Sequence, residues 1–142
     1  MTIEIAGRPI GADHPPFVIA EMSGNHNQDL SRALGIVEAA AKAGAHAIKL
    51  QTYTADTMTL DKRGGSFEIS DEQSLWSGKN LHDLYKQAYT PWEWHAPIME
   101  RAQELGLICF SSPFDETAVD FLEGLNAPAS VSYTHLTLPT KA

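Results

Sequence analysis

The chain has 142 residues, 43% of them hydrophobic, and a formal net charge of −8. That is enough for one ordinary domain with a core, and with no basic stripe anywhere it argues against nucleic acid and anionic membranes as partners. No apolar run approaches the roughly 20 residues of a membrane helix, and the N-terminus lacks the basic region and long apolar stretch of a secretory signal, so a cytoplasmic protein is expected.

Residues 1–16 place Ile3 and Ile5 between polar neighbours and then bring Gly7, Pro9, Gly11, Pro15 and Pro16. This predicts a short β-hairpin or arm plugging one end of the fold. Phe17–Met22 is an apolar run that turns abruptly polar at Glu21, Asn25 and His26, with Gly24 between them. A buried strand ending in a carboxylate, then a glycine-containing loop into a helix, is the opening unit of a β/α protein.

Asp29 is the expected N-cap of the first helix, whose apolar face is Leu30, Ala33, Leu34, Val37, Ala40 and Ala41, and Gly44 is its stop. Ala47–Tyr53 reads as the second strand, with Ile48 and Leu50 on one face and Lys49 and Gln51 on the other. Residues 54–80 show little periodicity, and a connection that long in a compact domain is usually functional or disordered. Leu81–Ala88 reads as a short helix. Thr90-Pro91-Trp92-Glu93 reads as a capping box, with a turn at Pro91–His95 and a helix restarting near Pro97 and running to Leu105.

Leu107–Ser112 is the third strand, broken by Pro113, and Asp115 caps a third helix carrying Ala118, Val119, Leu122 and Leu125. Three β-α units joined by helical crossovers predict a parallel sheet over residues 17–129. The single cysteine, Cys109, lies in the third strand's apolar run and is expected as a buried thiol in a reducing compartment.

In a β/α barrel alternate strand residues point inward. With Glu21 inward, Ile19 and Phe17 lie below it; Lys49 inward brings Gln51; Ser112 inward brings Phe110. A carboxylate, an ammonium, an amide and a hydroxyl would then share one mouth at the carboxyl ends of three strands. Lys49 is the most informative of them. Between Ile48 and Leu50 in a strand buried on both faces, a lysine is costly unless it meets an anion; an edge strand with Lys49 in water is the alternative.

Glu21 could equally be a surface residue at a strand end, and Gln51 and Ser112 alone are weak signals. The six histidines show no metal-ligand spacing. His46 and His82 are expected on the surface, His95 at a helix start, and only His26 in the mouth. Trp76, Trp92 and Trp94 are expected to pack rather than to form a stacking platform.

Phe17–Asn27, Ile48-Lys49-Leu50-Gln51-Thr52 and Cys109–Asp115 together resemble the sialic acid synthase family, and Thr90–His95 is most similar to its pseudaminic acid synthase branch. The resemblance covers about residues 2–129. It implies a TIM (β/α)8 barrel, of which this chain would be the N-terminal half, with about three β/α units. It implies condensation of phosphoenolpyruvate with an N-acetylated hexose, 2,4-diacetamido-2,4,6-trideoxy-altrose in that branch, to give a nonulosonic acid. Lys49 and Ser112 would hold phosphoenolpyruvate, Gln51 and Asn25 would also bind substrate, and Glu21 would be catalytic. The resemblance further implies a divalent metal, Mn2+ or Mg2+, whose ligands this chain lacks, and a homodimeric full-length enzyme.

Departures from the pattern matter too. After Ala129 the family's Tyr-Lys-Ile-Ala-Ser, with a second phosphate lysine, is replaced by residues 130–142, which resemble a translated sequencing adaptor; a divergent fourth strand through Val131, Tyr133 and Leu136 is the alternative. The chain alone is expected to be inactive. An N-acetylneuraminate synthase using N-acetylmannosamine is the alternative within the class, and a non-catalytic half-barrel binding module is the alternative outside it.

Overall fold

The computed structural model describes residues 2–74 and 76–133; most of the expected tail, from residue 134 on, lies outside them. Strands β1 (Ile3–Ile5) and β2 (Arg8–Ile10) form an antiparallel hairpin, with Ile3 opposite Ile10 and Ile5 opposite Arg8. Its two turn residues, Ala6 and Gly7, have φ of 49° and 79°, the left-handed pair that matches the twist of a tight hairpin. Ala6 lines a cleft of about 660 Å³ with Met99, Gly106, Leu107 and Ile108. The hairpin therefore sits at the amino end of the third parallel strand, at the opposite end from Ser112.

The parallel sheet is β3 (Ile19–Glu21), β4 (Ala47–Thr52) and β5 (Ile108–Pro113), in that spatial order. The first strand is shorter than expected because Phe17 and Val18 are engaged otherwise: Phe17 stacks on His46, and the Val18 N–H donates to His46 Nδ1 at 2.9 Å. Helix α1 (Leu30–Lys42) is capped by Asp29, whose carboxylate accepts from the N–H groups of Ser31 and Arg32, two of the orphan donors of a helix start.

The core lies between the sheet and its helices. Ile48, Leu50 and Cys109 pack with Ala33 and Val37 of α1 and with Ile98 and Ala102 of α4 (His95–Glu104). Burial in this apolar layer pushes the Cys109 thiol up to about 12. Arg101 of α4 reaches Glu38 of α1 at 2.7 Å on the outside. Helix α5 (Glu116–Gly124), capped by Asp115, buries Ala118 and Leu122.

Within residues 54–80, α2 (Ala55–Met58) is capped by Thr54, Gly65–Phe67 is a 3₁₀ turn, and Glu68 bridges Asn80 before α3 (Leu81–Ala88). Gly24 packs so closely on α3 that a Cβ there would meet the Ala88 carbonyl at 2.8 Å, so a side chain would push the loop off the helix. Beyond α5, Ser130 runs parallel to Ser111, and the Val131 N–H donates to the Ser111 carbonyl at 3.1 Å.

The capping box is not formed. Trp92–Trp94 is a 3₁₀ turn with no side-chain cap, and α4 follows it directly from His95. Thr90 is unavailable as a cap because its hydroxyl bonds His26. Pro97 is tolerated as the third helical residue, where the N–H has no intrahelical partner to lose. Among the described residues no helix is long and apolar enough to cross a membrane.

Candidate functional site

Period-two alternation along β4 sends Ile48, Leu50 and Thr52 toward the helices and Lys49 and Gln51 to the opposite face. The register then sets their neighbours: Glu21 lies beside Lys49, and Ser112 beside Gln51. The four side chains form one network. Lys49 Nζ is 3.1 Å from Glu21 Oε1 and 3.4 Å from Ser112 Oγ, and the Gln51 amide donates to Glu21 Oε1 at 2.8 Å.

Exposure grades across the network. Ser112 is buried, the Lys49 side chain is 14% exposed and that of Glu21 is 45% exposed. The Gln51 hydrogen bond, followed by Lys49, holds the Glu21 carboxyl below its ordinary value against the opposing effect of burial. An ammonium has three donors. Glu21 and Ser112 take two, so among the described contacts one Lys49 N–H and the Ser112 O–H remain for an anionic ligand. The other end of the network presents a carboxylate and an amide. Asn25 sits exposed on the 3₁₀ turn Gly24–His26 at the same end of the sheet; among the described contacts no hydrogen bond joins it to the four.

The histidines are placed differently from expectation. His26 is fully buried rather than in the mouth. Its Nδ1 accepts from the Gln28 N–H, which makes Nε2 the donor to the Thr90 hydroxyl at 3.1 Å, and Trp94 packs edge-on at 5.4 Å. Burial lowers its pKa. His82 is 2% exposed, not at the surface, with Nε2 2.7 Å from Asp56 of α2. His46 is half-buried beneath Phe17.

His95 does begin a helix, but it is also fully buried against Thr52, and burial lowers its pKa. The tryptophans Trp92 and Trp94 pack on Phe121 and His26, while Trp76 lies under Lys79. Thr52 and Ser111 were not singled out by sequence. Their signal was faint: each is a polar residue on the helix-facing side at the end of an apolar strand. Among the described residues no cluster of three His, Cys, Asp or Glu side chains could hold a metal ion. The described residues alone do not fit the implied divalent metal.

The NeuB family model matches residues 36–137. The chain is 46% identical over 132 residues to "Pseudaminic acid synthase" of Helicobacter pylori, covering 90% of this chain and 38% of that protein. It is 49% identical over 111 residues to the protein of the same name from Campylobacter jejuni serotype O:2, covering 78% of this chain and 32% of that one. The crystal structure of N-acetylneuraminic acid synthetase from Leptospira borgpetersenii, in complex with citrate, superposes with a TM-score of 0.73 at 27% identity, over 92% of this chain and 40% of that one.

The chain thus spans under two fifths of the length of these two pseudaminic acid synthases. Its parallel α/β architecture is that of part of a TIM barrel, the fold of its structural neighbours. A family match over most of the chain, with the same fold in a solved relative, establishes that the chain belongs to the NeuB family.

Proposed function

We propose that this chain carries the phosphoenolpyruvate end of a nonulosonic acid synthase site of the pseudaminic acid type. The observation that carries the reading is Lys49: an ammonium 14% exposed on the central strand, level with the carboxyl end of β3, touching both Glu21 and Ser112. A lysine so placed neutralises a phosphate or carboxylate, and the Ser112 hydroxyl adds a second donor. Glu21 and Gln51 face the sugar near its aldehyde, and Asn25 binds substrate from the adjoining turn.

The enol carbon of phosphoenolpyruvate attacks the sugar aldehyde and forms the C–C bond. Water adds at the cationic carbon left behind, and phosphate departs. A carboxylate beside the aldehyde orients a hydroxyl or exchanges the proton that the new alkoxide takes up. The sugar is 2,4-diacetamido-2,4,6-trideoxy-altrose; identity of 46% and 49% to proteins called pseudaminic acid synthases, against 27% to an N-acetylneuraminic acid synthetase, favours it over N-acetylmannosamine. Turnover draws on residues outside this span, because the relatives are far longer than the matched segment.

Calorimetric titration with phosphoenolpyruvate tests the site. Lys49→Ala should weaken binding roughly 10- to 150-fold, the worth of a charged hydrogen bond. Equal affinity in the variant would remove Lys49 from the site.

A further inference from the structure

Directly behind the site, on the helix-facing side of the same strands, lies a second polar cluster. Thr52 Oγ1 is 2.7 Å from Ser111 Oγ and 2.8 Å from His95 Nε2, and His95 Nδ1 is 3.4 Å from the Pro91 carbonyl. Thr52 and His95 are 0% exposed and Ser111 is 1% exposed. A carbonyl only accepts, so these partners assign the proton to His95 Nδ1. In the neutral ring Nε2 must then accept from the Thr52 hydroxyl, and Ser111 donates to Thr52. The three groups form a directed chain from β5 through β4 to α4.

Such a chain is costly to bury unless every member is satisfied, and when satisfied it fixes one arrangement of its elements. Thr52 follows Gln51, and Ser111 precedes Ser112, so the two strand residues of the cluster each share a peptide unit with a residue of the ligand network. The backbone is tied at the same points: the Phe114 N–H donates to the Thr52 carbonyl at 3.2 Å and the Val131 N–H to the Ser111 carbonyl at 3.1 Å.

We propose that Thr52, Ser111 and His95 are positioning residues: the ring of α4 pins the carboxyl ends of β4 and β5 and thereby sets the reach of Gln51 and Ser112 into the site. This rests on the anion site proposed above. Small displacements of binding groups are expensive, with about 1 Å worth up to roughly 100-fold.

The test uses Thr52→Val, which keeps the shape and removes the hydroxyl, Thr52→Ser, which restores it, and Lys49→Ala as the control. Each is titrated with phosphoenolpyruvate well below its unfolding temperature, and amide hydrogen exchange is followed at residues 51 and 112. Thr52→Val is expected to weaken binding roughly ten- to hundredfold and to speed exchange at those two amides selectively; Thr52→Ser is expected to restore both. Wild-type affinity and exchange in Thr52→Val overturn the proposal, and so does a uniform rise in exchange across the sheet, which is general destabilisation. Equal binding by wild type and Lys49→Ala overturns the anion site and with it any effect on ligand, whereas selective exchange at residues 51 and 112 still decides whether the cluster pins the strands.

Discussion

β4 and β5 build two polar clusters back to back, and the two differ in charge and in water. On the open face Lys49, Gln51, Glu21 and Ser112 include both charges and leave Glu21 45% exposed. On the helix-facing side Thr52, Ser111 and His95 are sealed, and the bonding there is that of a neutral ring. Burying an ion costs far more than burying a hydroxyl with a partner, so the charges belong where a ligand or water can reach them. The neutral cluster can be dry because each group meets another. Within one strand, alternation alone separates the ammonium of Lys49 and the amide of Gln51 from the sealed hydroxyl of Thr52.

The comparison breaks first at Glu21. Glu21→Gln keeps the shape and removes the charge, and in a full-length synthase carrying this segment it should cut kcat by roughly 10²–10⁴ while phosphoenolpyruvate binding changes far less. Steady-state kinetics decide; a raised KM at constant kcat would make Glu21 a binding residue only. Ser111→Ala should act oppositely, leaving charge untouched but depriving the Thr52 oxygen of its donor. A loss of about 1–3 kcal/mol in denaturant unfolding is expected; an unchanged midpoint and slope would show that the cluster carries no stability.

How much of this was legible in sequence follows from how local each cause is. Asp29 and Asp115 as caps, and the opposite faces of Ile48 and Lys49, are set by residues within a few positions, and both were readable. The convergence of Lys49 with Glu21 and Ser112 needed only the assumption of adjacent parallel strands. His26 was misplaced because its burial depends on Thr90, 64 residues away. The same contact removed Thr90 as a cap, so one long-range bond undid two local readings. His95 looked like an ordinary helix start because its partner Thr52 lies 43 residues earlier.

Acid gives a smaller, continuous test of the sealed side. His26 and His95 have folded pKa values lowered below 6.5 by burial, so the unfolded chain binds protons more readily than the fold. Their contribution is complete above pH 6.5 and is lost as pH falls from there toward the folded values, by at most about 1.4 kcal/mol per pH unit for each ring. Glu21 adds its own loss at lower pH, since its lowered pKa gives stability above 4.5 that disappears as pH drops through the folded value. Denaturant unfolding at pH 7.5, 6.5 and 5.5 should show falling midpoints below 6.5, which a His95→Gln variant should show to a lesser degree. A flat profile would contradict the buried neutral rings.

The most direct measurement is a double-mutant cycle on phosphoenolpyruvate affinity with Lys49→Ala, Ser112→Ala and both together. If the ammonium and the hydroxyl 3.4 Å from it hold one anion, the losses should be coupled by about 0.5–3 kcal/mol. Losses that add within about 0.3 kcal/mol would contradict a shared ligand at the carboxyl ends of β4 and β5.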